Sequence, residues 1–154
     1  MKIIEENIDL ITVDDKEYYL VQCITADFAS STGIGMYFDK KYNIDTKKLL
    51  EEKYGDKVID TYPKLTCILC DNRVFNLIIK KNYYHKATYE SVKTALVAMK
   101  KILLNENMIP EIKTNKIAMP KIGCGLDGLE WYRVKRIIED VFDDTNVEIL
   151  VCNI

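Results

Sequence analysis

Three glycines fall within six positions in the run Gly123-Cys124-Gly125-Leu126-Asp127-Gly128. An apolar lead-in, Ile117-Ala118-Met119, reaches it through Pro120-Lys121-Ile122, and an amphipathic segment follows. The pattern predicts a strand, a tight glycine loop and a helix. Glycine has no side chain, so a ligand can approach the backbone closely and φ can be positive. The first N–H groups of a helix have no intrahelical partner and favour an anion, for which a phosphate or diphosphate is the natural guest. Asp127, in the same loop, offers a carboxylate as general base or electrostatic stabiliser. The spacing matches neither the dinucleotide fingerprint nor the P-loop. A plain strand-to-helix turn accounts for the glycines equally well.

A second small-residue loop, from Thr25 through Ser30, Ser31, Thr32, Gly33 and Ile34 to Gly35, supplies hydroxyls and close backbone approach. It follows the run Tyr18 to Ile24, whose β-branched and aromatic residues predict a buried strand. Asp9 closes a strand that starts at Lys2. It either accepts from an adenine amino group or caps the next turn, and capping is the plainer role. Cys67 and Cys70 form a C-x-x-C pair, but residues three apart on a strand point to opposite faces. No second cysteine pair or nearby histidine completes a zinc site, so the pair reads as packing and no metal is expected. His85 is the only histidine. No serine or cysteine occupies a nucleophile-elbow motif, and His85 reads as a loop or capping residue.

The elements around these candidates follow from periodicity. Met36 to Tyr42 looks helical, with Phe38 and Tyr42 on one face. Lys47 to Tyr54 is a second helix, ended by Gly55. Val58 to Tyr62 reads as a short strand before Pro63. Leu65 to Asp71 and Val74 to Lys80 form a hairpin around Asp71-Asn72-Arg73. Thr88 caps a helix that carries Tyr89, Val92, Leu96, Met99 and Leu103 at helical spacing. A polar connection from Asn105 to Lys116 contains Pro110. The last helix places Val134, Ile137, Ile138, Val141 and Phe142 on one face, and Val147 to Cys152 is a final strand, central and parallel. Strands alternating with helices around one hairpin give an α/β sandwich with a mixed sheet. Ligands of open α/β sheets sit outside the carboxyl ends of strands, so both small-residue loops frame one cleft. That cleft suits a phosphorylated small molecule, and a nucleotide best.

Composition sets the limits. A chain of 154 residues makes one domain with a full core. Its net charge of -2 gives no global basic footprint for nucleic acid, although a local basic groove stays open. No apolar run approaches a membrane span. The N-terminus turns acidic at once and lacks a signal-peptide core. Five cysteines, an odd number without a disulfide-framework pattern, point to a reducing cytosol. A cytoplasmic monomer without a membrane partner is expected.

Several stretches resemble one known family. Met119-Pro120-Lys121-Ile122-Gly123-Cys124-Gly125-Leu126-Asp127 is similar to the signature of the macrodomain branch that includes the terminal ADP-ribose protein glycohydrolase. Lys80-Lys81 followed by His85-Lys86-Ala87-Thr88-Tyr89-Glu90 resembles the K-K and H-K-P-T-Y-E text of that branch. Cys23-Ile24-Thr25-Ala26-Asp27 is similar to its C-I-S-x-D, and Asp143 to Ile149 also matches. The resemblance spans essentially the whole chain.

The resemblance implies a three-layer α/β/α macrodomain over residues 1–154 that binds ADP-ribose and needs no cofactor. Carried over by position, Lys80 and Asp127 would be catalytic. Asp9, Leu10, Thr25, Ser31, Thr32, Gly33, Ile34, Pro120, Gly123, Cys124, Gly125 and Leu126 would bind ADP-ribose. In the family mechanism the lysine amine attacks the anomeric carbon of the distal ribose and displaces the acidic side chain that carried it. The aspartate then helps resolve the lysine adduct. The amine must be partly neutral to attack, and Lys81 offers nearby positive charge. One departure stands in the first loop, where the family's G-A-G-I-A is Ser31-Thr32-Gly33-Ile34-Gly35. Ser31 adds bulk and a hydroxyl where backbone approach is close. Three activities fit: removal of ADP-ribose from a protein carboxylate or a nucleic acid base, hydrolysis of ADP-ribose 1″-phosphate, and binding without turnover. Retention of Lys80 and Asp127 favours the first.

Overall fold

The computed structural model describes residues 1–29, 34–105 and 114–153. In chain order the elements are β1 (Lys2–Glu6), β2 (Tyr19–Thr25), α1 (Ile34–Tyr42), α2 (Thr46–Tyr54), α3 (Lys57–Thr61), β3 (Cys67–Cys70), β4 (Val74–Lys80), α4 (Tyr89–Leu104), β5 (Lys116–Met119), α5 (Trp131–Phe142) and β6 (Glu148–Cys152). A short 3-10 turn, Leu10–Thr12, follows β1. The six strands form one sheet in the order β1-β6-β5-β2-β4-β3. Every neighbouring pair is parallel except β3 and β4, which form the expected antiparallel hairpin.

Side-chain alternation divides the molecule into three layers. Tyr19 and Val21 of β2 join Phe75 and Leu77 of β4 on one face, under Val92, Leu96 and Met99 of α4 and Val134 and Ile138 of α5. Leu20 faces the other way, with Ala118 and Leu150, beneath Leu10 and Phe38. Farther along that second face, Ile68 and Ile78 lie under Leu50 of α2 and Val58 of α3. Full burial of each such side chain contributes about 1.5–3 kcal/mol. A polar pair separates the two patches of the second face. Gln22 Nε2 donates to Asn76 Oδ1 at 2.7 Å, and Asn76 Nδ2 donates to the carbonyls of Ile68 and Val74, each at 3.2 Å. Among the described residues Gln22 Oε1 has no partner.

Local chemistry explains the ends of the helices. Thr88 and Ser91 form a capping box at the start of α4, with Ser91 N to Thr88 Oγ1 at 3.0 Å and Thr88 N to Ser91 Oγ at 2.9 Å. Asp45 caps α2 through Lys48 N, and Gly55 ends it with φ of 55°.

Two expectations change. The segment read as a strand over Val58–Tyr62 is helix α3, where Asp60 N donates to the Asp56 carbonyl at 2.9 Å. Its Val58, Ile59 and Tyr62 meet Leu50 and Ile68 at helical spacing. In so short an apolar run, periodicity does not separate helix from strand. The first strand also ends at Glu6 rather than near Asp9, because Asp9 begins the 3-10 turn.

Candidate functional site

The parallel strands β2, β4 and β5 are adjacent in the sheet, so their C-terminal ends meet at one edge. Lys80 is the last residue of β4. Strict alternation from Ile78 would turn Lys80 toward the α2 and α3 layer. The β2–β4 register shifts between Ile24 and Thr25, however, so that Ile24 pairs with Ile78 and Thr25 with Lys80. Residues paired across parallel strands share a side, and this β-bulge sets Lys80 on the side of Cys23 and Thr25, under α4 and α5.

On that side Lys80 meets the glycine loop. Its Nζ donates to Asp127 Oδ1 at 3.0 Å, with the two side chains 16% and 12% exposed. The same oxygen accepts the Ala87 N–H at 3.0 Å. Lys86 Nζ donates to the Leu126 carbonyl at 2.7 Å. The segment 81–87 thus grips the glycine loop at two adjacent positions.

Asp27 ties the third loop in. It accepts from Tyr83 N and Ala29 N, each at 3.0 Å, and from Thr25 Oγ1 in a short bond. Burial works to raise the Asp27 carboxyl, but the donors on Thr25, Tyr83 and Ala29 outweigh it and hold the group below the usual aspartate range. Cys23 lies beneath the pair. Burial first, then the Asp127 charge, pushes its thiol up to about 12, against a bond from the Gly123 backbone. Burial also raises Cys124. Neither sulfur is set up as a thiolate.

The glycine loop folds on itself. Leu129 N donates to the Gly123 carbonyl at 3.0 Å and Gly128 N to the Gly125 carbonyl at 3.0 Å. Gly123 has φ of +72°, and a Cβ there would come 2.8 Å from Leu129 Cδ1. The positive φ requires glycine, whereas the Leu129 methyl is the free end of a side chain that can move aside. Gly125 has nothing within 4 Å of such an atom, so its outer side is open to a ligand. The expectation of a helix start beside the glycines is corrected. Helix α5 begins only at Trp131, its N-cap is the acidic Glu130, and the Glu130 N–H donates to Tyr89 Oη at 3.0 Å. The backbone N–H groups beside the glycines therefore belong to the loop and not to a helix start.

Thr25, Lys80, Gly123 and Asp127 come together. Pro120, Cys124, Gly125 and Leu126 belong to the same loop as Asp127, with Leu126 88% exposed. Asp9 and Leu10 stand at the same sheet edge after β1, separated from β4 by three strands, so roughly 19 Å away at strand spacing. Asp9 Oδ1 caps the 3-10 turn through Ile11 N at 3.1 Å. Leu10 is wholly buried in the second core, backbone included, and its carbonyl accepts from Val13 N at 3.2 Å. Ser31, Thr32 and Gly33 lie outside the described residues, as does the side chain of Ile34. His85 is a loop residue, its Nδ1 accepting from Asn82 N at 3.3 Å. Cys67 and Cys70 pack on opposite faces of the sheet, as free thiols. Among the described residues no group of His, Cys, Asp or Glu could hold a metal, and no helix is long and apolar enough to cross a membrane. Asp27, Lys86 and Ala87 support the site although the expected site residues do not include them; each stands in a stretch that resembles the family, which is the signal the sequence offers for them.

No protein-family model matches the chain. The chain is 36% identical to ADP-ribose glycohydrolase OARD1 of Bos taurus over 133 residues, which cover 86% of this chain and 79% of that protein. The Homo sapiens protein of the same name is 35% identical over the same shares, 86% and 79%. The macrodomain of Mycobacterium tuberculosis DarG superposes with a TM-score of 0.76 at 18% identity, covering 99% of this chain and 97% of that one. At that identity the likeness speaks for the fold.

Proposed function

The chain belongs to the macrodomain family, and from that premise we propose that it is a hydrolase that releases ADP-ribose from modified carboxylates of proteins or from nucleic acid. The observation that carries the proposal is the contact of 3.0 Å between Lys80 Nζ and Asp127 Oδ1 at the meeting point of three loops. The names of the curated relatives support the same reaction class.

Lys80 is the nucleophile in this reading. Asp127 lies within reach to take the proton that the ammonium must lose before attack. The amine lone pair then forms a bond to C1″ of the distal ribose. The bond from C1″ to the acyl oxygen breaks, and its electrons leave with the carboxylate. Water, delivered with the help of Asp127, adds to C1″. The C–N bond breaks, the amine recovers its proton, and ADP-ribose departs. Open backbone at Gly125 and the neighbouring N–H groups serve the diphosphate. Thr25 serves the ribose side, and Asp9 stands at the far end for the adenine.

A domain that only binds ADP-ribose would not need the amine and the carboxylate in contact, so the pair favours turnover. The deciding experiment incubates the protein with ADP-ribosylated protein and, separately, with ADP-ribosylated DNA, and follows released ADP-ribose. Release from either supports the hydrolase. Binding of free ADP-ribose with no release from either refutes it in favour of a reader.

A further inference from the structure

The sheet ends in two edge strands, β3 and β1. The edge at β3 is closed, with Cys67 and Ile68 only 1% and 6% exposed. The edge at β1 is open: Lys2, Ile4, Glu5 and Glu6 are exposed and Ile3 is half-buried. The ladder to β6 fixes which main-chain groups stay free. Lys2 N donates to the Val147 carbonyl at 3.0 Å, and the Glu6 carbonyl accepts from Asn153 N at 2.9 Å. Between these bonds the register is unbroken, from Lys2 against Glu148 to Glu6 against Cys152. Lys2, Ile4 and Glu6 therefore turn N–H and C=O toward β6, and Ile3 and Glu5 turn theirs outward. Glu5 shows the opening directly. Its side chain, held by Trp131 Nε1 at 2.8 Å and Lys135 Nζ at 2.9 Å, is 31% exposed, yet the residue as a whole is more exposed than that. The main chain is what lies open.

In place of the expected monomer, we propose that a second copy of this chain pairs with β1 edge to edge, antiparallel across a two-fold axis at Ile4. Charge selects this register. With Ile4 opposite Ile4 of the second copy, Lys2 faces Glu6 of that copy, and Glu6 faces its Lys2. The outward N–H and C=O of Ile3 then meet those of Glu5 of the second copy, so the free main-chain groups pair in the same register. The next register one way sets Glu5 against Glu5. The next the other way sets Lys2 against Ile4 and leaves Glu6 unpaired. Lys2, Ile4 and Glu6 share the face away from α5, and Ile4, 38% exposed there, is covered by its own copy. Both charges are available. Lys2 reaches Glu148 only at 3.9 Å, and Glu6 forms no salt bridge among the described residues. The strand has neither the proline nor the bulge that guards an edge. Two such short strands bury less than a standard interface, so the pair forms reversibly. The joined sheets run in opposite directions, and both candidate clefts stay open.

The test is sedimentation velocity of the full chain, from low micromolar to near-millimolar concentration. No ADP-ribose is added, so the result is independent of the hydrolase proposal. Dimer should grow with concentration, and hydrogen exchange at the Ile3 and Glu5 amides should slow in step. Lys2→Glu and Glu6→Lys each set like charge against like at both ends of the pair. Each should weaken self-association at least about tenfold. Mixing the two variants should restore association, because each copy then meets opposite charge at both positions. Both residues are exposed, so the variants keep the fold, which circular dichroism checks. A monomer at every concentration overturns the proposal. So does a dimer indifferent to either variant, a mixture that stays monomeric, or exchange that slows elsewhere and not at Ile3 and Glu5.

Discussion

Lys80 Nζ and Asp127 Oδ1 lie 3.0 Å apart although 47 positions separate the residues in sequence. That oxygen also holds the Ala87 N–H at 3.0 Å. One carboxylate thus serves the amine and the loop that follows it. Changes at Asp127 must be read against both duties.

Lys80→Ala should lower release of ADP-ribose by at least about 10²-fold. ADP-ribose affinity should change little, because the loop backbone remains. Calorimetry and a release assay on one preparation check both. Release at the normal rate would remove the covalent step.

Asp127→Ala should also lose release and should show no added ADP-ribose mass on the intact protein, because the Lys80 ammonium then lacks the base that takes its proton before attack. The variant frees a partly buried ammonium and the Ala87 N–H, so its melting temperature should fall as well. The double variant with Lys80→Ala should lose about as much rate as either single one, because the residues act as a unit. Fully multiplied losses would mean independent roles.

Gly123→Ala should destabilise the fold by roughly 1–3 kcal/mol, from a left-handed backbone. Gly125→Ala meets no neighbour and should keep the melting temperature, yet weaken ADP-ribose binding. Equal loss of stability in both variants would contradict this account of the loop.

Asp27 makes stability depend on acid. Its folded carboxyl protonates below the ordinary aspartate value, so the stability it supplies is complete above the unfolded value. That stability drains away as pH falls through the folded one. Asp27→Asn should therefore melt lower than wild type near neutrality, and the gap should narrow in acid. A gap that stays constant from about pH 7 to about pH 3 would rule out the linkage.

Asp9→Ala should weaken ADP-ribose more than ribose phosphate if Asp9 accepts from the adenine amine. Loss of its cap on the 3-10 turn also costs stability, about 0.5–2 kcal/mol. Equal loss of affinity for both ligands leaves the cap as its only duty.

Much of the frame could be read from residue types. The hairpin from Cys67 to Lys80 showed because Asp71 and Asn72 favour the positive φ that its turn uses. Helix α4 showed through Thr88 and its apolar stripe. Helix α3 did not, because a five-residue run containing Val58 and Ile59 suits either periodicity. The start of α5 was misplaced, since eight residues from Gly123 to Glu130 form a self-bonded loop with no periodicity to reveal it. Lys80 itself was singled out by resemblance alone. Its own surroundings in sequence describe a solvated strand end.

The bulge beside Lys80 has a consequence for how relatives are compared. A chain missing Ile79 would pair its lysine with Thr25 on an unbroken ladder and would still aim the amine at Asp127. A chain of the present length without the register shift would present its amine to the opposite layer, away from Asp127. The number of residues upstream of the lysine therefore does not tell which homologues inherit the chemistry. The register of the lysine against Thr25 does, and two chains identical at every site residue can differ in it.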